Sequence, residues 1–150
     1  RLLRAVEGEG EPPPIEWASI GGDDIAYIQC TSGSTGPRKA VALSHANLIV
    51  NVRDVGKAIE LEPTDVGVSW LPLYHDMGLI SLLTTLYWGG RVVVLSPLDF
   101  ARDPGIWLRT ISEHGGTLSP APNFAFRRCL RIADENLAGL DLSTLSLIPL

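Results

Sequence analysis

Cysteine is scarce in this sequence, and Cys30 and Cys129 are the only two. They stand far apart and outside any metal-ligand spacing, which excludes a disulfide framework and a cysteine-based zinc site. Both are expected to be reduced, partly buried thiols. Charge is also thin, at 19% of residues with a net charge of −5. Without a basic excess the chain has no electrostatic footprint for nucleic acid. The longest apolar-rich run, Met77 to Gly90, is broken by Ser81, Thr84 and Thr85. It falls short of the roughly 20 residues a membrane span needs and reads as a buried helix. There is no basic-then-apolar leader with a small-residue cleavage site, so the expected setting is cytoplasmic. Internal repeats and low-complexity runs are missing too. So is the G-x-x-x-x-G-K-[ST] loop, which excludes a P-loop NTPase.

The 150 residues, 45% of them hydrophobic, suffice for one ordinary domain with its own core. Residues 1–24, with Gly8, Gly10, Pro12, Pro13, Pro14, Gly21 and Gly22, read as a connector. Residues 25–150 read as one domain. The chain opens on Arg1 rather than Met and closes on the strand-like run Leu147-Ile148-Pro149-Leu150. A piece of a larger domain, truncated at both ends, is the expectation.

Chemistry enters at Thr31-Ser32-Gly33-Ser34-Thr35-Gly36-Pro37-Arg38-Lys39. The preceding run, Ile25 to Cys30, has the β-branched and aromatic content of a buried strand. Two glycines keep the loop slim, so backbone N–H groups can close around an anion. The hydroxyls of Thr31, Ser32, Ser34 and Thr35 add donors, and Lys39 adds a point charge. Glycine-serine clusters are often plain loops, but a strand leading in and a lysine leading out suit a polyphosphate.

After the loop, Ala40 to Leu43 can return as a strand and form a hairpin with Ile25–Cys30. Ser44 is placed to cap a helix from His45 to about Glu60, with Leu48, Ile49, Val52, Val55 and Ile59 on its inner face. A strand follows at Val66–Leu71, a helix at Asp76–Trp88 ended by Gly89-Gly90, and a strand at Arg91–Leu95. Asp103 and Pro104 open a further helix that Gly115-Gly116 close, with Ile106, Trp107, Thr110 and Ile111 facing inward. Thr117–Ser119 reads as a short strand, and Asn123 to about Ala133 as a helix. The alternation implies an α/β fold with a mostly parallel sheet flanked by helices.

Two further stretches carry candidate residues. In Pro72-Leu73-Tyr74-His75-Asp76-Met77-Gly78-Leu79, a histidine and an aspartate stand between a strand's end and a helix. That is where open α/β sheets place their ligand crevice. His75 could be a hydrogen-bonded core histidine, and Asp76 could serve as a helix cap or as a ligand. His45 carries the same ambiguity in weaker form. In Pro120-Ala121-Pro122-Asn123-Phe124-Ala125-Phe126, Asn123 can be a cap or a ligand, whereas Phe124 and Phe126 taken alone suggest core packing. Arg127, Arg128 and Arg131 read as a solvated basic face with room for an acidic partner.

Three motifs in order, within residues 24–150, make the chain resemble the adenylate-forming superfamily of acyl-CoA synthetases, luciferases and nonribosomal adenylation domains. Thr31–Lys39 is similar to its phosphate-binding signature, with proline and arginine interchanged and Ala40 in place of the final glycine. Leu71–Leu79 and the Pro122-Asn123-Phe124-Ala125 run resemble motifs of the fatty acyl-AMP ligases. The resemblance implies part of an N-terminal adenylation domain, with the phosphate loop on a β-hairpin. It implies activation of a fatty acid by ATP and Mg²⁺ to acyl-AMP and pyrophosphate. Acyl transfer would follow, to the phosphopantetheine thiol of an acyl carrier protein or a polyketide or nonribosomal synthase. Residue by residue, it implies nucleotide contacts from Thr31, Ser32, Gly33, Ser34, Thr35, Gly36, Lys39 and Asn123. Catalysis would fall to His75 and Lys39, and substrate contacts to His75, Asp76, Met77, Gly78, Asn123 and Phe124. No metal-ligand set is expected here, because the family's acidic metal-binding segment, ribose-binding aspartate and C-terminal lysine have no counterpart in these residues. The 150 residues alone are therefore expected to be inactive. CoA as the acceptor, or a degenerate module that binds without turnover, are the alternatives.

Overall fold

The computed structural model describes residues 19–30, 39–132 and 134–146. Most of the expected connector, the phosphate loop at 31–38 and the closing strand at 147–150 lie outside the described residues. Strands β1 (Ile25–Cys30) and β2 (Ala40–Ser44) pair antiparallel, with Cys30 opposite Ala40 and Ile28 opposite Ala42. The expected hairpin is present, and residues 31–39 connect its two strands. Cys30 is exposed, not partly buried as expected; among the described residues, α1 is the main element packed against the hairpin.

Helix α1 (His45–Ala58) begins at Ser44 with a reciprocal capping box. The Asn47 N–H donates to Ser44 Oγ at 3.2 Å, and the Ser44 N–H donates to Asn47 Oδ1 at 3.1 Å. Only part of the expected stripe is inside. Val52 is buried, while Ile49 and Val55 keep 49% and 36% of their surface. The face that packs is set by a close helix contact instead. A Cβ on Gly56 would lie 2.1 Å from Trp88 Nε1, and that indole donates to the Val52 carbonyl at 3.2 Å.

Strands β3 (Val66–Ser69) and β4 (Arg91–Val94) run parallel, Val66 opposite Arg91 and Ser69 opposite Val94. On the other side of β3, Leu118 adds one parallel bridge to Gly67, so Thr117–Ser119 contributes a contact rather than a full strand. β3 is therefore central and all four of its residues are buried. β4 is an edge among the described residues, and Val94 remains 52% exposed, so of the two strands only β3 is covered on both faces.

Helix α2 (Asp76–Tyr87) was expected to be buried nearly all round, yet Leu86 and Tyr87 are half exposed. Its buried positions are Gly78, Thr84 and Thr85. Small residues win there because the helix rides close on the sheet. A Cβ on Gly90 would come within 2.9 Å of Thr85 Cγ2, and one on Gly67 within 3.1 Å of Thr85 Oγ1.

A short helix, α3 (Pro97–Arg102), was not anticipated, although Ser96 before Pro97 is an N-cap followed by proline at the first turn. Helix α4 (Gly105–His114) starts where Asp103 Oδ1 accepts the Gly105 N–H at 2.9 Å, and it ends at left-handed Gly115, φ 62°. Helix α5 (Asn123–Cys129) stops short of the expected Ala133. These helices wrap an aromatic core in which Trp70 stacks on Phe100 at 3.8 Å and 7°, with Trp107 edge-on at 6.3 Å. A polar thread crosses it. Trp107 Nε1 donates to Ser119 Oγ at 2.7 Å, and Ser119 donates to the Val68 carbonyl. Phe126 tilts against Trp107, as the packing reading expects, but Phe124 is 53% exposed with only an edge contact to Trp70. Arg128 corrects the solvated-face reading. Its guanidinium donates to the Ala101 carbonyl and lies over the Phe100 ring at 5.7 Å, tying α5 to α3.

Candidate active site

The chain turns at Pro72–His75, just past the end of β3, and this turn sets the first turn of α2. The His75 N–H donates to the Pro72 carbonyl at 3.1 Å, and His75 takes the N-cap position with extended backbone. Asp76 is thus the first helical residue rather than the cap. Its Oδ1 accepts the Met77 N–H at 2.7 Å and lies 2.7 Å from His75 Nδ1. The Met77 N–H also points to His75 Nδ1 at 3.4 Å, a longer contact that would need an unprotonated Nδ1. The shorter pair of contacts fits one arrangement, in which His75 Nδ1–H and the Met77 N–H both donate to the Asp76 carboxylate. His75 Nε2 is then the ring nitrogen left for another group. Both side chains are more than half exposed.

An open cleft of about 700 Å³ lies between the hairpin and the first turns of α1 and α2. Gln29 from β1, Asn47 and Asn51 from α1, and Asp76, Met77 and Ile80 from α2 line it. Asn47 and Asn51 are four residues apart on one helix face, so both amides meet the same space. Neither Gln29 nor Asn51 was among the sequence candidates. For Asn51 the local signal was its i, i+4 spacing from Asn47 on α1; Gln29 carried none. The Asn47 carbonyl oxygen is occupied by its capping bond, whereas Asn51 carries no such duty.

Beyond Met77 and Ile80 the same helix face borders a second, largely apolar cavity of about 150 Å³, closed by Val55, Ile59, Leu61 and Leu118. Met77, Ile80, Ser81 and Thr84 recur at i, i+3, i+4 and i+7, which places one stripe of α2 along both spaces. Of the three hydroxyls on this wall, Ser81 donates to the Gly78 carbonyl and Thr85 to the Ser81 carbonyl. Thr84 Oγ1 is buried with no hydrogen-bond partner among the described residues.

The expected residues are not all brought together. Asp76 and Met77 line the cleft, and His75 stands immediately before them. Gly78 is buried against the Pro72 turn, where a Cβ would lie 2.3 Å from the Pro72 carbonyl oxygen. Asn123 and Phe124 open α5 on the far side of Trp70 and do not line the cleft. His45 also stays out of its lining, and its N–H donates to the Asp24 carbonyl at 3.1 Å. Lys39 sits exposed at the start of β2, and the loop residues Thr31 to Gly36 lie outside the described residues. Among the described residues no group of three His, Cys, Asp or Glu side chains is placed to hold a metal ion, and no helix is long and apolar enough to cross a membrane.

Comparison with known proteins gives consistent results. The family described as AMP-binding enzyme matches residues 3–148. The medium-chain-fatty-acid–[acyl-carrier-protein] ligase TtuA of Teredinibacter turnerae is 42% identical over 81% of this chain and 19% of its own length. The long-chain-fatty-acid–AMP ligase FadD32 of Mycobacterium marinum is 44% identical over 79% of this chain and 20% of its own. A crystal structure of a fatty acyl-adenylate ligase from L. pneumophila, in complex with acyl adenylate and pyrophosphate, superposes with a TM-score of 0.83 at 40% identity. That match covers 89% of this chain and 24% of that one. The chain thus spans about a fifth of the length of these curated relatives.

Proposed function

Because this chain belongs to the family of AMP-binding enzymes, we propose that it forms part of an enzyme activating a fatty acid with ATP. The carboxylate attacks the α-phosphorus, the bond to the β-phosphate oxygen breaks, and acyl-AMP and pyrophosphate result. The acyl group then passes to a phosphopantetheine thiol on an acyl carrier protein, the acceptor named for the Teredinibacter relative. The observation that carries this reading is that an amide-lined cleft and an apolar cavity lie along one face of α2 and share Met77 and Ile80 in their walls. A fatty acid needs such a site, with a charged head beside polar donors and a chain in a dry compartment.

In this reading Thr31 to Gly36 and Lys39 neutralise phosphate charge, an electrostatic role in which one preorganised donor contributes about 3 kcal/mol to rate. Magnesium comes with the ATP phosphates, consistent with its habit of keeping few protein ligands. His75 meets the reacting head group, and the first turn of α2 favours negative charge there. Asp76 and Met77 border the head and the first carbons, Gly78 fixes their position, and Asn123 and Phe124 make the outer nucleotide and acyl contacts. A cytoplasmic setting belongs to the same proposal, since the reaction draws on ATP.

The test is ATP–pyrophosphate exchange by the complete polypeptide that carries these residues, across fatty acids of increasing length. CoA and a phosphopantetheinylated carrier protein are offered in parallel. Exchange with acyl product on the carrier is expected. Thioester with CoA instead would move the protein among the acyl-CoA synthetases. ATP binding without exchange for any acid would refute the enzymatic reading.

A further inference from the structure

Asp76 directly follows His75 and shares one end of α2 with it, yet the two carboxylate contacts show a division of labour. The Asp76 carboxylate is not free to swing. Its Oδ1 takes the Met77 N–H at 2.7 Å, a donor that the helix start leaves without an intrahelical partner. That bond anchors the carboxylate to the helix backbone. The same oxygen stands 2.7 Å from His75 Nδ1. An anchored carboxylate at this distance holds the Nδ1–H form of the neutral ring. It leaves the Nε2 lone pair, or the Nε2–H of the charged ring, as the working end.

From this geometry we propose that Asp76 is a positioning residue. It fixes the tautomer and ring orientation of His75, so that Nε2 alone is presented to the reacting head group. The proposal rests on the adenylation reading for the identity of that group, but the His75–Asp76 contact itself does not. It gives Asp76, which the sequence offered as a cap or a substrate contact, a role through His75. The cap position is taken by His75, and Asp76 Oδ1 is engaged by both Met77 and His75, which leaves Oδ2 for the head group. Exposure makes the pair weak as a source of stability, in line with exposed ion pairs generally. Its consequence lies in which nitrogen is available.

The experiment uses the complete polypeptide with nitrogen-15-labelled histidine and reads the His75 tautomer by long-range proton–nitrogen correlation. The signals are assigned with His75→Gln. The wild type is expected in the Nδ1–H form. Asp76→Ala should move His75 toward the Nε2–H form, and Asp76→Asn, which keeps an acceptor oxygen, should move it less. Exchange kinetics on the same proteins should show kcat falling about tenfold for Asp76→Ala, the low end of the loss when the partner that orients a metal-bound histidine is removed, taken here as a scale for an orienting contact. The KM for ATP should stay unchanged and Asp76→Asn should lie between. An Nε2–H ring in the wild type, or a tautomer indifferent to Asp76→Ala, would overturn the proposal. So would a shifted tautomer with unchanged kcat. If the wild type forms no acyl-AMP from any acid, the adenylation reading fails and the catalytic part of the proposal falls with it. The spectrum still reports whether Asp76 holds the ring.

Discussion

Adding one methyl group at Gly78 tests how closely α2 must approach the turn that precedes it. A Cβ there would lie 2.3 Å from the Pro72 carbonyl oxygen and 3.0 Å from its carbon, whereas ordinary contacts begin at 3.4 Å. The shortfall is about 1 Å, and the obstacle is backbone, which cannot rotate aside. The same Pro72 oxygen accepts the His75 N–H at 3.1 Å, so relief of the clash loosens the bond that sets His75. Two terms oppose each other in Gly78→Ala. Helix propensity favours alanine by about 1 kcal/mol. Overpacking a closed contact costs about 1–3 kcal/mol, and more where backbone must move. The second term wins, for an expected net loss of about 1–2 kcal/mol in urea denaturation. Activity should suffer more than stability, because a displacement of about 1 Å at a reacting group can cost about 100-fold in rate. Pyrophosphate exchange by the complete polypeptide measures this. Gly22→Ala is the control, since its Cβ would meet only the Ala46 methyl at 3.5 Å. It should stay within about 0.5 kcal/mol of wild type. If Gly78→Ala unfolds no earlier than wild type and exchanges pyrophosphate as fast, the close-approach argument is wrong.

Three other perturbations have definite expected outcomes. Thr84→Val replaces the buried, unpartnered hydroxyl with a methyl of similar shape, so the urea midpoint should rise, by up to about 1 kcal/mol. A fall would show that the hydroxyl has a partner. Ser119→Ala removes the acceptor of the Trp107 indole and leaves that buried N–H unsatisfied, at a cost of about 1–3 kcal/mol in the same measurement. The Asp103 carboxyl is held below the usual carboxylate range, first by its bond from Arg109 and then by the Gly105 N–H, against some desolvation. Its folded value is depressed, so its contribution to stability is present above about pH 4 and is lost as pH falls through the lower folded value. Carbon-13 titration of Asp103 should show this. Arg109→Gln should raise the midpoint, and an unmoved midpoint would rule out the ion pair as the cause.

Local rules made much of the fold legible, because each signal pointed the same way as the tertiary structure. Ser44 with Asn47, Gly115 after the last turn of α4, and the β-branched run at Ile25–Cys30 all work through nearest neighbours. The failures came where contact with another element decided. Ile49 and Val55 fit a helical stripe, yet what α1 buries is Val52 and Gly56, because the Trp88 ring lies against Gly56. Leu86 is as apolar as any residue in α2, but the buried positions are Gly78, Thr84 and Thr85; Gly78 sits against the Pro72 turn and Thr85 against Gly67 and Gly90. Helix α3 follows the Ser96-Pro97 start signal, but its six residues are too few for an apolar period to show. At the candidate site, His75 and Asp76 stood out by their place after a strand, and Met77 through the family resemblance. Gln29 and Asn51 were not, since a cleft formed by a hairpin and two helices leaves no single contiguous motif.

These contacts explain why α2 dominates the candidate site. One edge of the helix must be small to seat against Pro72 and the sheet, which fixes Gly78 and Thr85. A neighbouring stripe, Met77 to Thr84, is thereby turned toward both the amide-lined cleft and the apolar cavity. Changes on the seating edge should therefore alter head-group chemistry and chain accommodation together. Changes on the stripe should separate them, with Met77 affecting both spaces and Thr84 only the cavity. The discriminating measurement is KM across fatty acids of increasing length for Gly78→Ala, Met77→Ala and Thr84→Val. Chain-length preference should move in Thr84→Val while kcat for the shortest accepted acid stays level. A parallel loss across all lengths in Thr84→Val would mean that the two spaces do not divide the substrate in this way.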